Sequence, residues 1–384
     1  VKHESVFEYQ KKHKPSEVMD FVFKLKNSVT YVPLCVSLPH ADAWLTVDTE
    51  MFRETWELGR LANAYETMVL GMNDFSRKLY LGTLQTQSVL DFESCKNKSI
   101  KNFDKSSDVS SLSLTTLKAI DSFKDIFNGS IKTPKTIAQC KAFYDYIMAP
   151  FEDKRPRKKV MKFHYFRDTP LPYGDRNDVI STNKGYPNET NIIKSMDYVL
   201  TWFYDDNLDP FMISGIGFFL LETILPFYHD NLYFSCSLIS LYLYGYYPAL
   251  ASQITSCLLR NASLLHRSFQ ETLNAKSQGD LSHFLMVYEA VIKDGINVSS
   301  YQLGRMIEQE KNRLSSLGDH ADDRIRDALV RADIYSLWGI DVTETLKEAQ
   351  VSLPSLNRYI KKQKLAGHLM IQPIGKKHLL SLKE

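Results

Sequence analysis

Between Asp230 and Arg260 the chain carries no Lys, Arg, Asp or Glu. Just before that run lies FMISGIGFFLLETIL, residues 211–225, in which Glu222 is the one charged residue. A short polar break, Pro226-Phe227-Tyr228-His229-Asp230-Asn231, separates the two. Helices that are apolar on every side must be buried, either in a large protein core or in a bilayer. A span needs about 20 predominantly apolar residues. This stretch holds Asn231, four serines between Ser235 and Ser252, tyrosines around Gly245, and Pro248, a poor score on a transfer scale. The expectation is a helical protein core and no membrane. A polar loop joining buried helices is also where a ligand or reacting group commonly sits.

The chain of 384 residues is long enough for two or three domains. Its 21 Tyr and 21 Phe can fill a sizeable core. A net charge of +2 puts any nucleic-acid surface in a local patch. Cys35, Cys95, Cys140, Cys236 and Cys257 are odd in number and widely spaced, which argues for free thiols, no zinc site and a cytoplasmic protein. The polar opening VKHESVFEYQKKHK contains no apolar leader, in keeping with that expectation.

Apolar spacing predicts helices over residues 16–30, 49–71, 73–92, 114–127 and 134–150, with an irregular Pro-containing stretch at TYVPLCVSLPHADAWL. Residues 1–50 read as an N-terminal extension. DKRPRKKVMK, residues 153–162, reads as a solvated basic connection, with a phosphate-contacting or targeting patch as the alternative. KFHYFRDTPLPYGDRNDVI alternates aromatics and prolines around Gly174 as a β-hairpin does, over about 163–180. A helix opens at Asn188 or Glu189 and stops at Asp205-Asp206-Asn207; others run over about 253–275 and from a cap at Asp280. Residues 299–319 read as a charged linker helix.

Residues 320–384 change character. Apolar positions Ile325, Leu329, Ile334 and Tyr335 give a first helix, Val342, Leu346 and Ala349 a second, and Leu356, Tyr359 and Ile360 a third capped by Ser352. HLMIQPIGKKHLLSL reads as two strands around a turn. Three helices and a hairpin make a winged helix-turn-helix. Asn357, Arg358, Lys361, Lys362 and Lys364 on the third helix, with Lys376 and Lys377 at the hairpin tip, are the charge that DNA contact needs. The same fold also serves as a protein-interaction module.

The middle of the chain, about 51–298, resembles the Fic (filamentation-induced-by-cAMP) family, whose members mostly transfer AMP from ATP to hydroxyl side chains. YFRDTPLPYG is similar to the family's target-docking flap, which puts Arg167, Asp168 and Thr169 at a protein-partner edge. ISGIGFFLLETILPFYHDN resembles the buried helix that runs into the motif HPFxDGNGRxxR, and SQITSCLLRNASLLHRSFQETLNAKSQGDLSHFLMVY the closing helices. A trailing winged helix is common in that family. The resemblance implies a mainly α Fic/Fido-type domain with a β-hairpin flap, followed by the winged helix.

Against the motif at 225–236, Leu225 stands where the family has its general-base histidine, and a leucine has no lone pair to take a proton. His229 stands at the magnesium-binding acid and is a poor ligand for that hard cation. Asp230 and Leu232 replace glycines that admit phosphate oxygens. Tyr233 and Cys236 replace the phosphate-clamping arginines. Pro226, Phe227 and Asn231 match, and Asn231 is the residual nucleotide-binding candidate. GTLQTQSVLDFES resembles the family's inhibitory segment through Ser88, Asp91 and Phe92, and Cys236 leaves Asp91 without its arginine. The expectation is a pseudoenzyme that binds DNA or a protein, with no cofactor or metal and no confidently assigned catalytic residue. The alternative is an AMP-transferase of reduced or altered activity using ATP and magnesium. A homodimer stays open.

Overall fold

The computed structural model describes residues 4–96, 112–154, 164–171, 175, 178–181, 183–316, 323–337, 340–362, 369–374 and 377–382. The fold is mainly α. Two short helices, α1 (Val6–Tyr9) and α2 (Pro15–Lys26), precede a hairpin of β1 (Tyr31–Ser37) and β2 (Asp42–Thr46). Then come α3 (Thr49–Leu70), α4 (Asp74–Lys96), α5 (Leu114–Asp125), α6 (Ile137–Met148), α7 (Glu189–Trp202), α8 (Pro210–Ile224) and α9 (Asn231–Tyr244). They are followed by α10 (Pro248–Ala251), α11 (Ile254–Arg260), α12 (Ala262–Leu273) and α13 (Ser282–Ser316). The C-terminal part is α14 (Asp323–Tyr335), β3 (Ile340–Asp341), α15 (Val342–Ala349), α16 (Leu353–Lys362), β4 (Leu369–Ile374) and β5 (Lys377–Leu382). No helix is long and apolar enough to cross a membrane among the described residues.

The uncharged run forms the centre. α8 starts where Asp209 accepts from the Phe211 amide (2.8 Å) and Pro210 occupies the first turn, a capped start that the sequence dictates locally. All of α9 from Asn231 to Leu243 is buried, as is α8 from Phe211 to Ile224. α7, α11 and α13 surround this pair. At about 25 cal/mol per Å² of apolar surface, burial of two such helices is the largest stabilising contribution in the fold.

The N-terminal hairpin joins this core through Leu34, Val36 and Leu45, while Val6, Val18, Val22 and Trp44 form a smaller cluster of their own. The irregular stretch is this hairpin, which pairs Val32 with Leu45 and Pro33 with Trp44, with a register break between Pro33 and Ser37. Trp44 is buried; its indole donates to the Gln278 carbonyl (2.7 Å), and the Leu281 amide donates to the Trp44 carbonyl (2.9 Å). The Val6 amide reaches the Asp280 carboxylate (2.8 Å).

The expected helix from 253 to 275 is broken at Asn261 into α11 and α12. Conversely, α13 runs unbroken through 298/299, where the sequence separates a core helix from a linker. Gly295 within it is tolerated because α11 lies against it: a Cβ there would meet Cys257 Sγ at 2.4 Å. At 163–180 no strand forms among the described residues, and Gly174 lies outside them. Pro170 removes one ladder donor, and the Arg167 side chain claims the local carbonyls instead.

In the C-terminal part β3, β5 and β4 form one antiparallel sheet in that order. Leu356 and Tyr359 of α16 pack with Ala349, Ile325, Ala328 and Leu329, and Phe75 of α4 joins them. The opposite face of α14 enters the main core through Val330, Ile334 and Tyr335. Thr83 Oγ1 donates to the Tyr335 carbonyl (2.8 Å), and Arg331 Nε donates to Glu310 (2.8 Å).

Candidate functional site

The polar break between α8 and α9 is a tight joint with left-handed backbone at both ends. Leu225 has φ 48° and Asp230 φ 54°. The left-handed region costs an L-residue roughly 1–2 kcal/mol, and Asp tolerates it better than Leu.

Arg167 holds the first end. Its guanidinium is 1% exposed and donates from Nη2 to the Ile224 carbonyl (2.9 Å) and from Nε to that of Leu225 (2.6 Å). Nη1 serves the Thr169 and Tyr186 carbonyls, both at 2.5 Å. A cation at a helix C-terminus meets both the orphan carbonyls and the negative end of the helix dipole. Burial lowers its pKa to about 10, which still leaves it charged at neutral pH. Gly185 makes room: its φ is 65°, and a Cβ would lie 2.2 Å from Arg167 Nη2. The Arg167 amide also donates to the Pro226 carbonyl (3.1 Å). Arg167 is thus a buried cap, contrary to the expectation of an accessible docking edge. Next to it the Tyr228 hydroxyl donates to the Asp168 carboxylate, and the Asp168 amide donates back to that hydroxyl (3.3 Å).

Asp175 holds the second end. Asp230 makes no side-chain cap for α9. Instead the Asp175 carboxylate, 56 residues away in sequence, accepts from the Asn231 amide (2.8 Å) and from Asn231 Nδ2 (3.0 Å). Asn231 closes the turn further by accepting from the Phe227 amide (2.8 Å) and donating to the Phe227 carbonyl (2.9 Å). A helix N-terminus attracts anions, phosphates included. Here the anion is the chain's own carboxylate. Tyr144 of α6 stacks on Phe227 with ring centroids 3.6 Å apart and donates to the His229 carbonyl (3.1 Å). His229 itself is exposed.

Beneath the joint the electrostatics are acidic. Glu222 of α8 has no exposure; burial, reinforced by the facing Asp178 carboxyl, pushes it well above the usual carboxylate range. Asp178 rises for the same first reason. The Ile180 and Ser181 amides donate to its Oδ1 (2.7 and 2.8 Å). Leu232, Tyr233 and Cys236 are all buried. Burial pushes both the Tyr233 hydroxyl and the Cys236 thiol up, so neither supplies an anion at neutral pH. Phe92 packs on Tyr233, centroids 4.4 Å apart. Among the described residues no group of three or more His, Cys, Asp or Glu is placed to hold a metal ion.

The segment resembling an inhibitory helix lies on α4 beside this joint. Ser88 donates to the Ser252 carbonyl (3.0 Å). Asp91 does have a cationic partner, which corrects the sequence reading: Arg260 Nε lies 3.2 Å from its Oδ2, and Gln87 donates to Oδ1 (2.8 Å). The arginine comes from α11, outside the motif in which one was sought.

At the C-terminus Asn357 and Arg358 are exposed on α16, opposite Leu356 and Tyr359. Only the backbone of Lys361, Lys362 and Lys377 is described, and Lys364 and Lys376 lie outside the described residues. The structure therefore gathers Leu225, Asp230, Asn231, Leu232, Tyr233, Cys236 and Phe92 at one joint and leaves the basic residues of α16 elsewhere. Sequence reasoning missed Asp175, Asp178 and Glu222 and gave Arg167 the wrong setting. Glu222 alone carried a signal, as the single charge in an apolar run.

No family profile and no curated protein matches the chain. It is similar to the crystal structure of a Fic family protein from Desulfovibrio desulfuricans G20, at 12% identity and a TM-score of 0.49, over 88% of this chain and 97% of that one.

Proposed function

We propose that this chain is a Fic-type helical protein whose catalytic loop has become a structural joint, and that it acts by binding a partner and transfers no nucleotide. One observation carries the reading: the Asp175 carboxylate occupies the N-terminus of α9 through the Asn231 amide and side chain. In a nucleotide-binding version of this loop that position receives phosphate. A second anion there meets the Asp175 carboxylate, and no arginine stands on the first turn of α9 to neutralise it. ATP and magnesium do not fit these residues.

The partner we propose is DNA, held by the C-terminal unit. Its order of helix, strand, two helices and two strands is that of a winged helix. Asn357 and Arg358 face outward on α16, and Lys361 and Lys362 follow one turn on.

Two measurements test the two halves. Isothermal titration of the full chain with ATP and magnesium gives no binding heat, and radiolabelled ATP leaves no label on protein; either signal overturns the first half. Replacing Arg358, Lys361 and Lys362 together by alanine flattens the log–log salt dependence of DNA binding by about 0.9 per lost phosphate contact. Unchanged, salt-sensitive binding by that variant removes α16 as the DNA-contacting helix.

A further inference from the structure

A cavity of about 330 Å³ opens between the start of α3 and the first half of α13. Its walls are apolar, from Met51, Leu58 and Met286, and its charged groups are Glu50, Glu54, Glu289 and Lys293. Glu289 is the unusual member. It is 6% exposed, and its Oε1 sits 2.7 Å from Thr55 Oγ1, whose hydroxyl also lies 2.9 Å from the Met51 carbonyl. Thr55 Oγ1 donates toward both Glu289 Oε1 and the Met51 carbonyl, so one hydroxyl proton is shared between two acceptors and answers this carboxyl oxygen only in part. The other carboxyl oxygen, Oε2, has no hydrogen-bond partner among the described residues, and the residue lines the cavity.

Each of the other charged groups on the cavity has an oppositely charged neighbour. Lys293 Nζ lies 2.9 Å from Glu57 and 3.6 Å from Glu54. Arg53 reaches Glu50 at 3.5 Å and Glu54 at 3.2 Å. Lys293 is therefore neutralised from α3, and the unanswered polar group in the cleft is Glu289. An unmet carboxyl oxygen beside apolar walls recognises a cation with a hydrocarbon body.

We propose that the α3–α13 cleft is a binding site for a small organic ammonium or guanidinium ion, its charged end on Glu289 and its apolar body against Met51, Leu58 and Met286. The site lies on the α3–α13 face, away from the α8–α9 joint, and is independent of the reading given for that joint.

Binding is coupled to a proton. Burial, reinforced by Asp209 at the start of α8 and by Glu54 of α3, raises Glu289 to about 8. Glu50 of α3 and Lys293 of α13 are the other charged groups on the cavity. The free protein holds the carboxyl neutral at pH 7, and a bound cation favours the carboxylate, so the O–H proton leaves to solvent as the ligand enters.

Isothermal titration of the full chain with n-pentylammonium, against pentanol as its uncharged counterpart, tests this. Pentylammonium affinity rises toward tenfold per pH unit between about pH 6 and pH 8, with about one proton released per ligand, while pentanol affinity stays flat. Glu289→Gln weakens pentylammonium binding and abolishes its pH dependence. Ala290→Trp, an exposed position on the rim that fills the cleft and spares Glu289, abolishes binding and keeps the wild-type unfolding midpoint. Absence of pentylammonium binding at alkaline pH, equal and pH-flat affinity for both probes, or wild-type behaviour of either variant overturns the proposal.

Discussion

At the α8–α9 joint the Arg167 guanidinium closes one helix end and the Asp175 carboxylate the other. In the α3–α13 cleft Glu289 spends one oxygen on Thr55 and leaves the second facing a cavity. Both regions bury charge-bearing side chains among apolar helices. The first uses them to satisfy its own backbone; the second leaves a carboxyl oxygen facing a cavity. A motif-like stretch and a binding site are therefore separate questions in this chain. The recognisable loop is the closed region, and the cleft carries no motif.

The joint breaks most completely at Arg167. Arg167→Met removes one donor from each of four carbonyls at a buried site, that of Ile224 keeping the Tyr186 amide, and lowers stability by about 3 kcal/mol, read as a drop in the urea midpoint at constant slope. Gly185→Ala attacks the same cap from outside. It forces a side chain into left-handed backbone and onto Arg167, for a loss of about 2 kcal/mol. Asp175→Ala uncaps α9 and costs about 1–2 kcal/mol, while ATP binding stays undetectable because no arginine stands on the first turn of α9. Nucleotide binding by that variant would erase the contrast between the two regions.

The cleft gives a pH signature that the joint's caps lack. Glu289 binds its proton more tightly folded than unfolded, so folded protein retains the proton at pH values where unfolded chain has released it. Stability is full below the unfolded carboxylate value of about 4.5 and falls as pH rises toward about 8, by at most about 1.4 kcal/mol per pH unit. Glu289→Gln removes that decline, which urea titrations across this window resolve. The smallest effect belongs to His164 and Glu189, paired on the surface side of the joint. The hydrogen bond to Glu189 raises His164. Glu189 falls below its usual range: its burial is outweighed by hydrogen bonds from His164 and from the Phe166 and Tyr165 amides. His164 contributes below its raised pKa and Glu189 above its lowered one, so Glu189→Gln gives a slight loss confined to the window between them.

Sequence pattern gave away what depends on near neighbours. The uncharged run marked α8 and α9, and the break at Pro226–Asp230 marked the joint, because burial and turn chemistry are written locally. The β1–β2 hairpin was hidden by Pro33 and by Cys35, whose φ of 55° lies within the break in pairing register between Pro33 and Ser37. The caps were hidden for another reason. Arg167 meets Leu225 across 58 residues and Asp175 meets Asn231 across 56, and no local pattern records such pairings. Asp91 taught the same lesson in reverse, since its arginine came from α11. Glu289 has no local sequence signal either, because Thr55, its hydrogen-bond partner, lies 234 residues away on α3.

The unbroken course of α13 has a practical consequence. At 1.5 Å per residue a helix of 35 residues is about 50 Å long, and its early turns sit in the main core while Glu310 and Arg313 grip α14. A cut at 298/299 therefore severs a beam and not a tether. Each fragment would lose the covalent support of the other half of the helix, so recombinant pieces divided there should unfold more readily than the whole chain.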